Sequence, residues 1–328
     1  MRKLFLIIAL LALALPLAVS AQDATDELIE LPAVDPLSID GDIITAGSST
    51  VYPVSEAMVE LFQEEGFLGE ITVDSIGSGA GIERFCVSGE TDIANASRTI
   101  EEDEIEACEA IGRTPIEFRV GTDALTVVVS SENDFLESLT LEQLGAIFSG
   151  AATTWDDVDP SFPSEPIQTF SPGTDSGTFD YFVEAVLEPL FEDAEDPGAA
   201  AAEAIIGVPG IQMSEDDNVL VQGVQGSPYA IGYFGFAYYV ENADTLKAVA
   251  IDGIEPNAET AESGEYPLAR PLFIYSDATI MAEKPQVAAF INFYLTNIND
   301  VIEEVGYFPA SIEAQNAARQ AYLDAVGG

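Results

Sequence analysis

The sequence predicts an α/β fold with largely parallel sheets. Three observations carry that prediction. Short apolar segments with strand composition alternate with segments whose apolar residues recur at helical spacing. Glycine-, serine- and threonine-rich loops sit where strands give way to helices. The chain has 328 residues, 48% of them hydrophobic, enough for two domains or one large one.

The elements read in order as follows. MRKLFLIIALLALALPLAVSA has two basic residues, an apolar stretch from Leu4 to Val19 and a small-residue end. It reads as a secretory signal peptide cut after Ala21, and its apolar part is shorter than the roughly 20 residues of a membrane span. Residues 22–39 are acidic and proline-bearing and read as a linker. Asp42–Ala46 is expected as a strand, Thr50–Glu65 as a helix, Glu70–Ile76 as a strand and Gly79–Cys86 as a helix. Asp92–Ala96 reads as a strand and Ile100–Ile111 as an acidic helix, followed by two strands, Ile116–Val120 and Ala124–Ser130. Leu141–Phe148 is helical, Ile167–Phe170 a strand, Thr178–Leu187 a helix, and 192–204 a loop with a helix. The aromatic run Tyr229–Val240 reads as a strand, as do Leu246–Ile251 and Pro271–Tyr275. Pro285–Thr296 closes the series as an amphipathic helix.

Composition excludes several functions. There is no histidine, so histidine catalysis and histidine metal sites are ruled out, and neither cysteine lies in a C-x-x-C pattern. No metal and no cofactor is expected. The two cysteines, Cys86 and Cys108, fit a disulfide in an oxidising compartment, with two buried thiols as the alternative. Removing the signal removes Arg2 and Lys3 and leaves 8 basic against 58 acidic residues, a net of −50. Nucleic acid and anionic membranes are poor partners for such a chain.

Three segments repeat one design of strand, Gly/Ser/Thr loop and helix: ITAGSSTVYPV at 44–54, VDSIGSGAGIERF at 73–85 and QTFSPGTDSGTFDYF at 168–182. DIANASRTIEEDE at 92–104 has the same shape with Arg98 at the turn. The first N–H groups of a helix lack internal partners and carry partial positive charge, so such termini accept anions. Hydroxyls add donors, and glycine lets the backbone come close. These local dipoles act at short range, whereas distant charges are screened beyond about 10 Å. Ser49, Ser78 and Ser176 also fit plain helix capping, Arg98 a surface ion pair and Asp175 a turn.

Competing motifs are weaker. GSGAG at 77–81 lacks the third glycine of a dinucleotide loop, and no segment ends in G-K-[ST]. Asp175-Ser176-Gly177 has no second copy of the kind an aspartic protease needs. Neither Lys247 nor Lys284 has a serine at helical spacing before it. An enzyme is not expected.

AGSSTVYPVSEA, SIGSGAGIERFC, DIANASR, LTLEQLGAIF, PGTDSGTFDYF, DDNVLVQGV, IGYFGFAYY and YPLARPLFIY, in this order, resemble the phosphate-binding protein of the high-affinity phosphate ABC transporter. The resemblance runs from Asp40 to the C-terminus. It implies a type II periplasmic-binding-protein fold: two α/β domains joined by a two-strand hinge, domain I being 40–124 plus 246–328 and domain II 125–245. It further implies an exported, monomeric protein that captures inorganic phosphate and delivers it to an ABC permease, in the periplasm or at the cell surface. Binding of another tetrahedral oxyanion such as sulfate or arsenate, or a secreted hydrolase, is the alternative.

Carried onto matching positions, the phosphate ligands are Ser49, Thr50 and the Val51 N–H, then Ser78, then Ser176, Gly177 and Thr178. Many family members have aspartate where Arg98 stands and arginine near Pro172. The two charges thus look exchanged, with Arg98 balancing the anion and Asp175 accepting the proton of monohydrogen phosphate.

Overall fold

A computed structural model describes residues 27–327. The expected signal peptide and the first residues of the linker lie outside the described residues. Eleven strands form: β1 (Ile43–Gly47), β2 (Ile71–Ser75), β3 (Ile93–Ala96), β4 (Ile116–Ser130), β5 (Ser138–Leu139), β6 (Gln168–Pro172), β7 (Gln212–Ser214), β8 (Ala230–Gly235), β9 (Leu246–Ala248), β10 (Ala250–Ile251) and β11 (Ala269–Ser276).

The main sheet runs β2-β1-β3-β11-β4-β8-β6-β7, with β9 also on β4 and β10 paired separately with β5. Pairs β1–β2 and β1–β3 are parallel at one end, and β6–β7 and β6–β8 at the other. The parallel pairs are linked by helices, as crossover connections require. The antiparallel pairs lie in the middle, where β4 and β11 run past each other from Ile116↔Ser276 to Ala124↔Ala269.

β4 joins the two halves. Its first part pairs with β11 and its last part, from Leu125, pairs with β8. Each half has its own core. Met58, Phe62, Phe118, Leu272, Phe290 and Tyr294 belong to the first, and Leu125, Phe148, Trp155, Phe182, Tyr233 and Leu268 to the second. Phe182 and Tyr233 stack with centroids 3.8 Å apart, under the helix that carries the third hydroxyl loop.

The structure corrects the sequence reading in four places. The strands expected at 116–120 and 124–130 are one strand, because Gly121, Thr122 and Asp123 stay in register with Leu272, Pro271 and Arg270. The aromatic run 229–240 is strand only to Gly235 and then turns into the helix Phe236–Glu241. Residues 246–268, expected in domain I, pair and pack with the second half: β9 joins β4 at Val128–Ser130, β10 joins β5, and Val249, Ile251, Tyr266 and Leu268 enter its core. The linker is no free tether over 27–39. The Ile29 N–H donates to Asn316 Oδ1 at 2.7 Å, and Arg319 Nη1 donates to the Ile29 carbonyl at 2.8 Å. Leu31, Val34 and Ile39 pack on the first core. Acidic composition suggests solvation, but the apolar residues spaced through this segment find a groove against the C-terminal helices.

Cys86 and Cys108 form a disulfide across a sequence separation of 22, between the turn after Ser78–Glu83 and the helix Glu102–Ala110. It lies in a small core with Ile82, Phe85, Phe273 and Tyr275. Closing that loop restricts the unfolded chain, and the bridge is expected to contribute about 3 kcal/mol. Urea unfolding of the Cys86→Ser/Cys108→Ser double variant should show a loss of that size with the fold retained.

Candidate functional site

The first wall of the site is the turn between β1 and the helix Tyr52–Glu64. A Cβ on Gly81 would fall 2.3 Å from Gly47 Cα, so the second loop is pressed against the end of β1 and only glycine fits there. Ser48, not Ser49, ties down the turn ahead of the first helix: its Oγ accepts from the Thr50 and Val51 N–H groups at 3.2 and 3.3 Å. That frees Ser49, whose Oγ donates to Asp180 Oδ2 at 3.1 Å, across to the second half. Thr50 is buried, its hydroxyl takes a hydrogen bond from Arg270, and its carbonyl accepts from the Tyr307 hydroxyl at 2.9 Å.

Ser78 opens the helix Ser78–Glu83 and is tied to the next loop. Its Oγ accepts from the Ser97 N–H at 3.1 Å and lies 3.2 Å from the Ser97 hydroxyl. Beside it, Arg98 makes a two-pronged ion pair with Glu104, at 2.8 and 2.7 Å, and also reaches Glu101 at 3.5 Å. These bonds raise the Arg98 pKa further. For Glu104, burial pulls upward, but the bonds from Arg98 and from the Glu101 N–H prevail and lower it.

The second wall follows β6. Ser176 caps the helix Gly177–Phe182 by accepting from the Thr178 N–H at 3.2 Å. A Cβ on Gly177 would meet the Ser49 carbonyl at 3.2 Å, so the two walls touch through backbone at this point. Among the described residues, Asp175 makes no side-chain bond to the first wall or to Arg98. It is exposed, its N–H donates to Glu215 Oε1 at 3.3 Å, and no ion pair joins it to Arg98. The carboxylate that does reach the first wall is Asp180, one helical turn further on.

Structure thus brings together Ser49, Thr50, Val51, Ser176, Gly177 and Thr178. Ser78 and Arg98 lie on an adjoining pair of loops, and Asp175 is exposed in the loop just before Ser176. One residue at this junction escaped the sequence reading. Arg270 on β11 is 8% exposed. It donates to Asp123 at 3.2 Å and to Glu184 at 3.3 Å, stacks over the Tyr181 ring at 3.6 Å, and reaches both Thr50 and the Gly177 carbonyl. Burial pushes the Asp123 carboxyl up, against the pull of the Arg270 guanidinium. The one available sequence signal was a cation inside an otherwise apolar strand, LARPLFIY.

Among the described residues no group of carboxylates and cysteines could hold a metal ion, and no helix is long and apolar enough to cross a membrane. Two α/β lobes on shared strands, with hydroxyl loops meeting between them, have the architecture of a two-domain solute-binding protein. Residues 32–297 match the family model of the PBP superfamily domain. Protein SphX of Synechocystis is 42% identical over 89% of this chain and 85% of its own. Phosphate-binding protein PstS of Staphylococcus saprophyticus is 35% identical over 88% of this chain and 86% of its own. The crystal structure of a possible phosphate binding protein from Planctomyces limnophilus superposes with TM-score 0.77 at 38% identity, covering 88% of this chain and 99% of that one. The chain belongs to the PstS-like phosphate-binding proteins of this superfamily.

The rim beside Asp175 is acidic, with Glu215, Asp216 and Asp217 at the start of the helix Asp217–Gln225. Burial, then the neighbouring Asp216 and Glu215 carboxylates, push Asp217 up to about 6. The folded chain therefore takes up this proton before the unfolded chain does. The resulting stability is full below the ordinary aspartate value and is lost as pH rises through about 6. Asp217→Asn should be more stable than the parent at pH 7–8 and should flatten the pH dependence of thermal unfolding between about 4 and 6.

Proposed function

We propose that this chain is an extracytoplasmic solute-binding protein that captures inorganic phosphate between its two halves and delivers it to an ABC permease. It works by binding and release, without catalysis. The observation that carries this reading is the meeting of the Ser49–Val51 turn with the Ser176–Thr178 helix start, one from each half. Hydroxyls and helix-start N–H groups from both sides give a tetrahedral oxyanion donors in several directions. The names of the PstS relative at 35% identity and of the Planctomyces limnophilus structure at 38% agree with that chemistry. The leader read at residues 1–21 supports export.

Arg98, on the adjoining loop and held by Glu104, is proposed to add positive charge near this donor set. The proton-reading role expected of Asp175 is better served by Asp180. A carboxylate can only accept, so opposite a protonated phosphate oxygen it gains a hydrogen bond, whereas fully ionised sulfate offers it none.

Calorimetric titration of the mature protein, stripped of bound anion, tests the reading. Phosphate should bind one to one and sulfate should give no signal. Equal or preferred binding of sulfate would overturn the ligand. In the same assay Asp180→Asn should weaken phosphate roughly 10-fold or more and let sulfate compete, the usual worth of a hydrogen bond to a charged group. Asp175→Asn should leave both affinity and discrimination as they are.

A further inference from the structure

We propose that Arg270 is the cation that receives the bound anion, and that the Glu184 carboxylate holds the same guanidinium edge until the anion displaces it. The inference rests on the phosphate reading above and adds a ligand and an internal competitor to it.

The guanidinium is fixed on three sides. Nε donates to Asp123 Oδ2 at 3.2 Å, and the two residues are register partners on β11 and β4. Nη2 is directed at the Thr50 hydroxyl and, at 3.5 Å, the Gly177 carbonyl. The flat face lies on the Tyr181 ring. What remains is the Nη1 edge, whose partner is Glu184 Oε2 at 3.3 Å.

The two carboxylates on Arg270 differ in kind. The Asp123 side chain is 5% exposed and cannot leave without stranding a buried charge. The Glu184 side chain is 61% exposed and makes no other hydrogen bond among the described residues. It can therefore swing into water at little cost. A carboxylate and a phosphate present the same kind of acceptor oxygens to a guanidinium edge. Glu184 also adds to the field that raises the Arg98 pKa, which places its charge near both cations.

Thr50 and Gly177 locate this edge within the donor set. Both touch Arg270, and they belong to the two walls proposed to hold phosphate. An anion reaching Nη1 would lie beside the Ser49–Val51 turn and the Ser176–Thr178 helix start. A built-in competitor lowers apparent affinity by the fraction of molecules in which it holds the site, while the intrinsic contacts stay the same.

The test is calorimetric titration of the full mature chain with inorganic phosphate, in the parent, Glu184→Gln, Glu188→Gln and Arg270→Lys. Glu188→Gln removes the same charge one turn further along the helix. Glu184→Gln should tighten phosphate roughly 2- to 5-fold, the worth of a largely exposed ion pair, with Glu188→Gln unchanged. Arg270→Lys keeps the charge but loses the fork and should weaken phosphate roughly 10-fold or more. Unchanged or weaker binding by Glu184→Gln overturns the competitor, and equal tightening in both glutamine variants reduces it to a general field effect. Arg270→Lys with parental affinity overturns the cation. If Arg270→Lys fails to fold, the two glutamine variants still decide. A parent that binds no phosphate at all removes the ligand reading first, and this inference with it.

Discussion

The whole arrangement depends on the side-by-side passage of β4 and β11 between the two halves. Near the end where β4 passes into the second half, Asp123 and Arg270 pair in register, both buried. A buried ion pair contributes little net stability, but losing one partner leaves an uncompensated charge that costs about 3–5 kcal/mol. The crossing is thus strongly specified. A second pair secures its other side. Arg119 donates to Glu262 at 2.9 Å, the Thr122 hydroxyl also bonds that carboxylate, and its second oxygen takes the Ser311 N–H at 2.9 Å. Glu262 comes from the second half and Ser311 from the start of the last helix of the first. Two carboxylates therefore fix where the strands cross, and the strands fix where the hydroxyl loops meet.

The donors of the site are not idle in this structure. Ser48 engages the Thr50 and Val51 N–H groups, Ser176 engages that of Thr178, and Ser78 is bonded to Ser97. On the proposed site, anion binding is an exchange of partners, and affinity reflects the difference between two well-bonded states. Selectivity follows from the same bookkeeping, because a wrong ligand leaves a buried group unpaired. The net charge of the chain matters less. Carboxylates spread over the surface are screened within about 10 Å, while N–H dipoles and guanidinium groups act at contact distance.

Much of this could be read along the chain, for a physical reason. A strand buried on both faces followed by an amphipathic helix leaves a local periodicity, and a Gly/Ser/Thr turn between them leaves a local composition. Hence β1, β2, β3, β6 and the helices after β1 and β6 were legible, as was the pairing of Cys86 with Cys108. What could not be read depends on distant partners. Gly121-Thr122-Asp123 looks like a break in a strand until β11 is laid beside it. Arg270 looks like a stray cation until Asp123, 147 residues away in sequence, is seen to be its partner. The helix Ile312–Val326 was overlooked because its buried positions include Gln315 and Arg319, polar residues that bond backbone carbonyls inside the first half. Asp180 went unread because it lies past the loop motif, inside the helix that follows it. Helix geometry turns Asp180 toward Ser49.

The most direct measurement is a crystal structure of the protein with phosphate bound. One anion is expected between the two halves, within hydrogen-bond distance of the Ser176–Thr178 helix start, the Ser49–Val51 turn and Arg270 Nη1, with Glu184 turned into solvent. An anion bound away from the junction of the two walls, or one seated there with Glu184 still on Arg270, would contradict that expectation.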